Sequence, residues 1–242
     1  MRTLPYTALA LSLLFTPGCV LVIGNTADFP WEDGVHADDL DVSWSDSLRG
    51  SGVEETEYRE LAPFDRVSVA GSRVDVVVRA GDGTHGVTLV GDENLLDHVE
   101  TTVEDGVLIV AWDEGSHRPR KGMTATVTAP ELRGVELYGS ADVVVTGLDA
   151  ASCELRLAGS GDLKAAGRAD VLTVHLSGDG DLSLKGLSAR QVEVRIDGQG
   201  DVDLGTVDES LSVRINGSGD LSYAGYPQVS TSIYGSGDVD RR

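Results

Sequence analysis

One short phrase recurs through the second half of the chain. It reads Gly-Ser-Ala-Asp at 139–142, Gly-Ser-Gly-Asp at 159–162 and Gly-Asp-Gly-Asp at 178–181. It returns as Gly-Gln-Gly-Asp at 198–201 and as Gly-Ser-Gly-Asp at 217–220 and 235–238. The lead glycines are spaced 20, 19, 20, 19 and 18 residues apart. A fixed period of about 20 residues marks stacked units, each too small to bury its apolar face alone.

The residues around the phrase keep one register. Two positions before the lead glycine stand Leu137, Leu157, Leu176, Ile196, Ile215 and Ile233. Four before it stand Val135, Leu155, Val174, Val194, Val213 and Thr231. Directly after the aspartate come Val143, Leu163, Leu182, Val202, Leu221 and Val239. Each unit therefore holds two short strands with alternate residues inward, one on each side of a glycine turn. A second glycine at 147, 167, 186, 205 and 225 marks another turn. Low aromatic content, 5%, and 30 glycines suit a Val/Leu/Ile core with many turns. The expected fold is all-β: a parallel, right-handed β-helix or solenoid with coils of about 20 residues. An antiparallel sandwich is the alternative. Six copies of one turn at near-constant spacing argue against it.

Upstream, the pattern is less regular. Phe64, Val67 and Val69 lead through Gly71-Ser72 to Val74, Val76 and Val78, which predicts strand-turn-strand. Val69 before Gly71 has the repeat register, so this half reads as an irregular version of the same stack. Val87–Val90 and Thr124–Thr128 read as further strands. Asp105-Gly106 between Val99–Val103 and Val107–Trp112 predicts a hairpin. The one helix candidate is 92–99, with Asp92 as its cap and Leu95, Leu96 and Val99 on one side.

Several of these stretches carry a resemblance. They are Glu57-Tyr58-Arg59-Glu60-Leu61-Ala62-Pro63-Phe64, Gly91-Asp92-Glu93-Asn94-Leu95-Leu96, Glu104-Asp105-Gly106-Val107-Leu108 and the Gly-Ser-Gly-Asp repeats with Arg214-Ile215-Asn216-Gly217. Over residues 55–240 the chain resembles the auto-transporter adhesin head GIN-domain family. The resemblance implies an exported β-helical domain, often on a lipoprotein. It supplies no catalytic residues.

The N-terminus carries an address. Arg2 precedes a short apolar run, Ala8–Phe15, too short to span a bilayer. Thr16-Pro17-Gly18-Cys19 then resembles a bacterial lipobox, with lipidation expected at Cys19. Thr16 and Pro17 depart from its usual residues. Val20, not aspartate, follows, which favours the outer membrane over inner-membrane retention. The expected division is a signal peptide over 1–18, an acidic tether over 19–60 and a solenoid over 61–242, with repeats over 131–242. Eleven acids against Arg49 and Arg59 in 20–62, without periodicity, underlie the tether reading. The expected location is the cell envelope, with the membrane as a partner through the lipid anchor. A formal charge of −21 excludes nucleic acid as a partner. Cys153, at alternate spacing with Leu155 and Leu157, reads as a small core residue.

The outward positions are the candidate working surface. Three before the lead glycine stand Glu136, Arg156, His175, Arg195, Arg214 and Ser232, a mostly basic ladder. Beside it run Gly134, Glu154, Thr173, Glu193, Ser212 and Ser230. Tyr138 and Tyr234 lie outward at the two ends. Solubility and register explain such ladders; a strip for a glycan or envelope protein is the functional reading. The aspartates Asp142, Asp162, Asp181, Asp201, Asp220 and Asp238 should stack, and each is expected to cap N–H groups in its own turn. Calcium is a weaker reading of that column, because calcium β-rolls use another glycine-aspartate spacing and a nine-residue period. No metal or cofactor is expected. The motifs of hydrolase elbows, zinc proteases and phosphate loops are missing. The histidines at 36, 85, 98, 117 and 175 do not cluster in sequence. Asp197, Arg195 and Arg214 could imitate a polysaccharide lyase, but by fold analogy alone. Three functions stay open: a non-catalytic adhesion or binding module, a structural or envelope-stress accessory, and a carbohydrate-active enzyme.

Overall fold

The computed structural model describes residues 47–81 and 83–242. Cys19 and the signal-peptide positions lie outside the described residues. The repeat half is a parallel stack. Strands β10 (Gly134–Gly139), β11 (Val143–Gly159), β12 (Leu163–Gly178), β13 (Leu182–Gly198) and β14 (Val202–Gly217) pair in sequence order. Beyond them, β15 (Leu221–Gly225), β16 (Gln228–Gly235) and β17 (Val239–Arg241) complete the last coil. Every pairing among these strands is parallel, which removes the sandwich.

The apolar register works as read through β14; in β16 Thr231 and Ile233 keep the alignment with Val213 and Ile215 but are exposed, because this strand pairs on one edge only. Val135, Leu155, Val174, Val194 and Val213 are aligned partners, as are Leu137, Leu157, Leu176, Ile196 and Ile215. All ten are fully buried. On the other limb Val143, Leu163, Leu182, Val202 and Leu221 form a buried column. Each coil thus stacks like on like at about 4.8 Å spacing. Cys153 joins Leu172, Val192 and Leu211 in another column. Burial pushes its thiol up to about 12, so it is an inert core residue.

Glycine at the repeat corner answers to geometry. Gly178 has φ +121°. A Cβ there would lie 3.1 Å from the Gly159 carbonyl carbon, closer still to its oxygen. The same Gly159 oxygen accepts the N–H groups of Asp179 and Gly180, at 3.0 and 3.2 Å. Only a residue without a Cβ lets successive corners close on each other this way. The second glycine marks a bend where strand register shifts, as between Val145 and Leu148.

The upstream half joins the same stack. β3 (Arg66–Gly71) pairs in parallel with β10, Gly71 opposite Gly139, and with β7 (Val107–Trp112). β4 (Val74–Ala80) pairs in parallel with β11 and with β9 (Met123–Ala129). β6 (Val99–Glu104) and β7 form the expected hairpin. Asp105 and Gly106 both have positive φ, 49° and 79°, as a two-residue hairpin turn of this kind needs.

Three expectations need correction. The helix is a 3-10 helix, Glu93–His98. Asp92 does not cap it with its side chain. That carboxylate is fully buried and accepts backbone N–H groups from Gly52, Arg120 and Lys121 at 2.6, 2.7 and 2.9 Å. Burial pushes its pKa up, but these three bonds outweigh it and hold the group below the ordinary range. The acidic stretch is also not tether throughout. β1 (Leu48–Arg49) pairs with β8 (His117–Arg118), and β2 (Glu54–Glu60) runs antiparallel to β5 (Gly86–Asp92). Composition misleads there because the ordering comes from partners. Arg59 donates to the Val99 and Leu96 carbonyls at 2.6 and 2.9 Å, and β5 supplies seven aligned residues.

The third correction concerns the corner aspartates. The first five cap the next coil, not their own turn. Asp142 Oδ1 accepts from the N–H of Asp162, Asp162 from Asp181, Asp181 from Asp201, Asp201 from Asp220 and Asp220 from Asp238, at 2.8–3.3 Å. The parallel register makes this possible, because it brings the next Asp N–H within reach of the carboxylate below. A hydrogen bond to a charged group contributes about 1.5–3 kcal/mol, more than the roughly 1 kcal/mol repulsion of carboxylates about 4.8 Å apart in water.

Candidate functional site: the outward face of the coils

The inward residues of β10–β14 and β16 leave their alternate neighbours on one outward face. Strand register orders that face into columns. One reads Ser68, Glu136, Arg156, His175, Arg195, Arg214 and Ser232, so all four basic candidates stand side by side. A second reads Arg66, Gly134, Glu154, Thr173, Glu193, Ser212 and Ser230. A third reads Ala70, Tyr138, Ala158, Ser177, Asp197, Asn216 and Tyr234. The two tyrosines therefore share a column, five coil steps or about 24 Å apart. They are 40% and 68% exposed.

Charges on this face are largely matched within it. Arg156 pairs with Glu154 at 2.9 Å, and Arg195 makes a two-pronged contact with Asp197 at 2.6 and 3.1 Å. Asn216 donates to the same Asp197 at 2.6 Å. Asp197 is held below the usual carboxylate range first by the Arg195 hydrogen bond and then by Asn216. Tyr138 donates to Glu136 at 2.8 Å, which raises its hydroxyl pKa. Among the described residues, His175 and Arg214 carry no ion pair and no side-chain hydrogen bond. Arg214 is thus a guanidinium of the face without an anionic partner among the described residues. At the β3 end the face dips into a depression of about 320 Å³ lined by Arg66, Glu104, Asp105, Glu136 and Glu154. The face can offer hydrogen-bond donors and acceptors on a fixed spacing, with one aromatic ring on β10 and another on β16. Arg156 and Arg195 are already engaged by Glu154 and Asp197.

The fold also brings together groups that sequence spacing leaves apart. His98 and His117 both meet Asp113, with His98 Nδ1 2.8 Å from Oδ2 and His117 Nε2 3.0 Å from Oδ1. Half of this was legible. The Asp105-Gly106 hairpin sets Val99 opposite Trp112, which places the next residues out, His98 and Asp113, beside each other. His117 arrives through the β1–β8 pairing, for which the sequence holds no signal.

A sequence model of one family, described as "Putative auto-transporter adhesin, head GIN domain", matches residues 63–240. A search of curated proteins finds no match. Among solved structures, a putative adhesin from Bacteroides fragilis NCTC 9343 is similar at TM-score 0.65 and 22% identity, covering 81% of this chain and all of that one. A putative lipid binding protein from Parabacteroides distasonis ATCC 8503 is similar at 0.56 and 21%, covering 81% and 99%. A putative adhesin from Parabacteroides merdae ATCC 43184 is similar at 0.50 and 19%, covering 82% and 100%. At these identities the likeness is one of fold.

Proposed function

The chain belongs to the auto-transporter adhesin head GIN-domain family, and from that premise we propose that it is a non-catalytic binding module of the bacterial cell envelope. It is exported, held to the outer membrane by lipid on Cys19, and presents the outward face of its coils to a glycan or another envelope component. The observation that carries this reading is the unbroken register of that face. Polar side chains repeat at coil spacing between Tyr138 and Tyr234, and a polymer with its own repeat can meet several of them at once. The aromatic rings on β10 and β16 suit sugar faces, and the unpaired Arg214 suits an acidic substituent.

A second reading has its own support. The pairing of Arg156 with Glu154 and of Arg195 with Asp197 is what a purely structural envelope accessory needs for solubility and register. A glycan array with wild type and the Arg195→Ala/Arg214→Ala double variant separates the two. Binding that falls at least tenfold in the variant supports the module; no binding to any glycan sinks it in favour of the accessory. Because one structural neighbour is described as lipid-binding, vesicle co-sedimentation of the Cys19→Ala chain is the companion control. Retention on vesicles without the anchor would move the ligand from sugar to lipid.

A further inference from the structure

We propose that His98, Asp113 and His117 form a binding site for one divalent transition-metal ion of the zinc class. Among the described residues this is the one group of three such side chains whose ligand atoms all lie within 4.8 Å of one another. The three come from separate pieces of chain: the end of the 3-10 helix, the residue after β7, and the start of β8.

The backbone holds them in place before any ion arrives. The Asp113 N–H donates to the His98 carbonyl at 2.9 Å, and the Leu48 N–H to the Ser116 carbonyl at 2.9 Å. The His117 ring stacks on Trp112 at 4.7 Å and 11°. Trp112 is itself fixed, its Nε1 donating to the Ser72 carbonyl at 2.8 Å. Stacking against a fixed indole thus limits the rotation of the His117 ring. Its side chain is only 5% exposed, while His98 and Asp113 are 36% and 32% exposed, so the group opens to solvent on one side.

A second observation concerns the carboxylate itself. Asp113 Oδ1 is buried and accepts no hydrogen bond, although His117 Nε2 is 3.0 Å away. An anionic oxygen buried without a donor is costly, and a cation between it and the two imidazoles removes that cost. Tetrahedral zinc with bonds near 2.0–2.1 Å spaces its ligands about 3.4 Å apart. The present contacts, 2.8 Å from His98 to Oδ2 and 3.0 Å from His117 to Oδ1, are shorter than that, so the rings and the carboxylate part to admit the ion, and the three ligand atoms already lie within 4.8 Å of one another. Two imidazole nitrogens and one carboxylate oxygen select zinc, cobalt or nickel over calcium and magnesium, which take all-oxygen sets. Three protein ligands leave one position for water. The ion would tie the 3-10 helix, the hairpin and β8 together beside β6, the last strand in the sheet order at that end of the stack.

The test uses the full-length chain with Cys19→Ser, so that an unlipidated thiol does not compete, after stripping with a chelator. Cobalt titration followed by visible absorption, and zinc titration by calorimetry, should each give one site per chain. His98→Ala and Asp113→Asn should weaken zinc by more than about 100-fold, since loss of an outer partner alone costs 10–100-fold. His175→Gln, on the distant ladder, should bind as wild type. Millimolar calcium should not displace cobalt. His98 is partly exposed, so its variant should fold, which circular dichroism checks. Zinc should raise the melting temperature of wild type and not of His98→Ala. No cobalt spectrum, an unchanged affinity in both variants, or displacement by calcium would each overturn the proposal.

Discussion

Replacing Gly178 by alanine tests whether corner packing holds the coils together. Gly178 lies at the centre of the repeat half with φ +121°, a conformation that costs an L-residue about 1–3 kcal/mol. Its new Cβ would overlap the Gly159 carbonyl and sit 3.1 and 3.2 Å from Gly159 C and N. Those are backbone atoms and cannot rotate away, so the two coils must separate locally. Separation loses the Asp179 and Gly180 hydrogen bonds to Gly159 O, each contributing about 1 kcal/mol. The expected loss is about 3–5 kcal/mol in all, which for a domain of this size lowers the melting temperature by on the order of 10 °C. Gly235→Ala is the control. It meets the same backbone clash, against Gly217, but in the last coil, whose strand β16 is exposed throughout and pairs on one edge only. In a stack stabilised by nearest-neighbour contacts, damage at the end frays one coil while damage at the centre uncouples two halves. Thermal melts followed by circular dichroism should show Gly235→Ala within about 2 °C of wild type. The reasoning fails if Gly178→Ala melts like wild type, or if the two variants are equally destabilised.

The buried Asp92 should make stability depend on acid. Its folded pKa lies below the unfolded value of about 3.9, so its contribution is present above that value and disappears as pH falls through the folded pKa. Asp92→Asn should cost about 2–4 kcal/mol in urea melts at pH 7, because buried N–H groups lose an anionic acceptor, and the gap to wild type should narrow below about pH 4. On the aspartate column, Asp181→Ala should cost about 1–2 kcal/mol by freeing the Asp201 N–H, while Asp181→Asn, which keeps an acceptor and sheds repulsion, should stay within about 1 kcal/mol of wild type. Calorimetry with millimolar calcium should show no heat attributable to that column, and a saturable signal lost in Asp181→Ala would refute the capping account. Metabolic palmitate labelling should mark the wild type and not Cys19→Ala; equal labelling would remove the anchor.

How much was legible depends on the range of the interaction. The lead glycines, Leu137 to Ile215 two places before them and Val143 to Leu221 after the aspartates repeat at one period, so stacking and the buried columns could be read directly, while the exposure of Ile233 in the last coil could not. The outward columns followed, because alternation puts every second residue outside. The Asp105-Gly106 hairpin was equally local. Asp92 was misread because a buried carboxylate looks the same in sequence as a helix cap. Which N–H groups it meets depends on the 50–53 and 118–121 segments folding over it. Glu54–Glu60 looked like tether for the same reason: its partner, β5, lies across a turn of other strands.

By itself, then, the sequence determined the coil period and the inward and outward sets, since each rests on spacing that survives without coordinates, while its motifs carried the resemblance to the family whose model matches residues 63–240. Tertiary structure alone decided where the charges go. The carboxylates of the first five corner aspartates reach the next coil because parallel register sets an N–H above each, and Arg195 turns to Asp197 because both project from one strand face. It also assembled His98, Asp113 and His117. Those contacts depend on side-chain direction and on the pairing of distant strands, which periodicity does not encode.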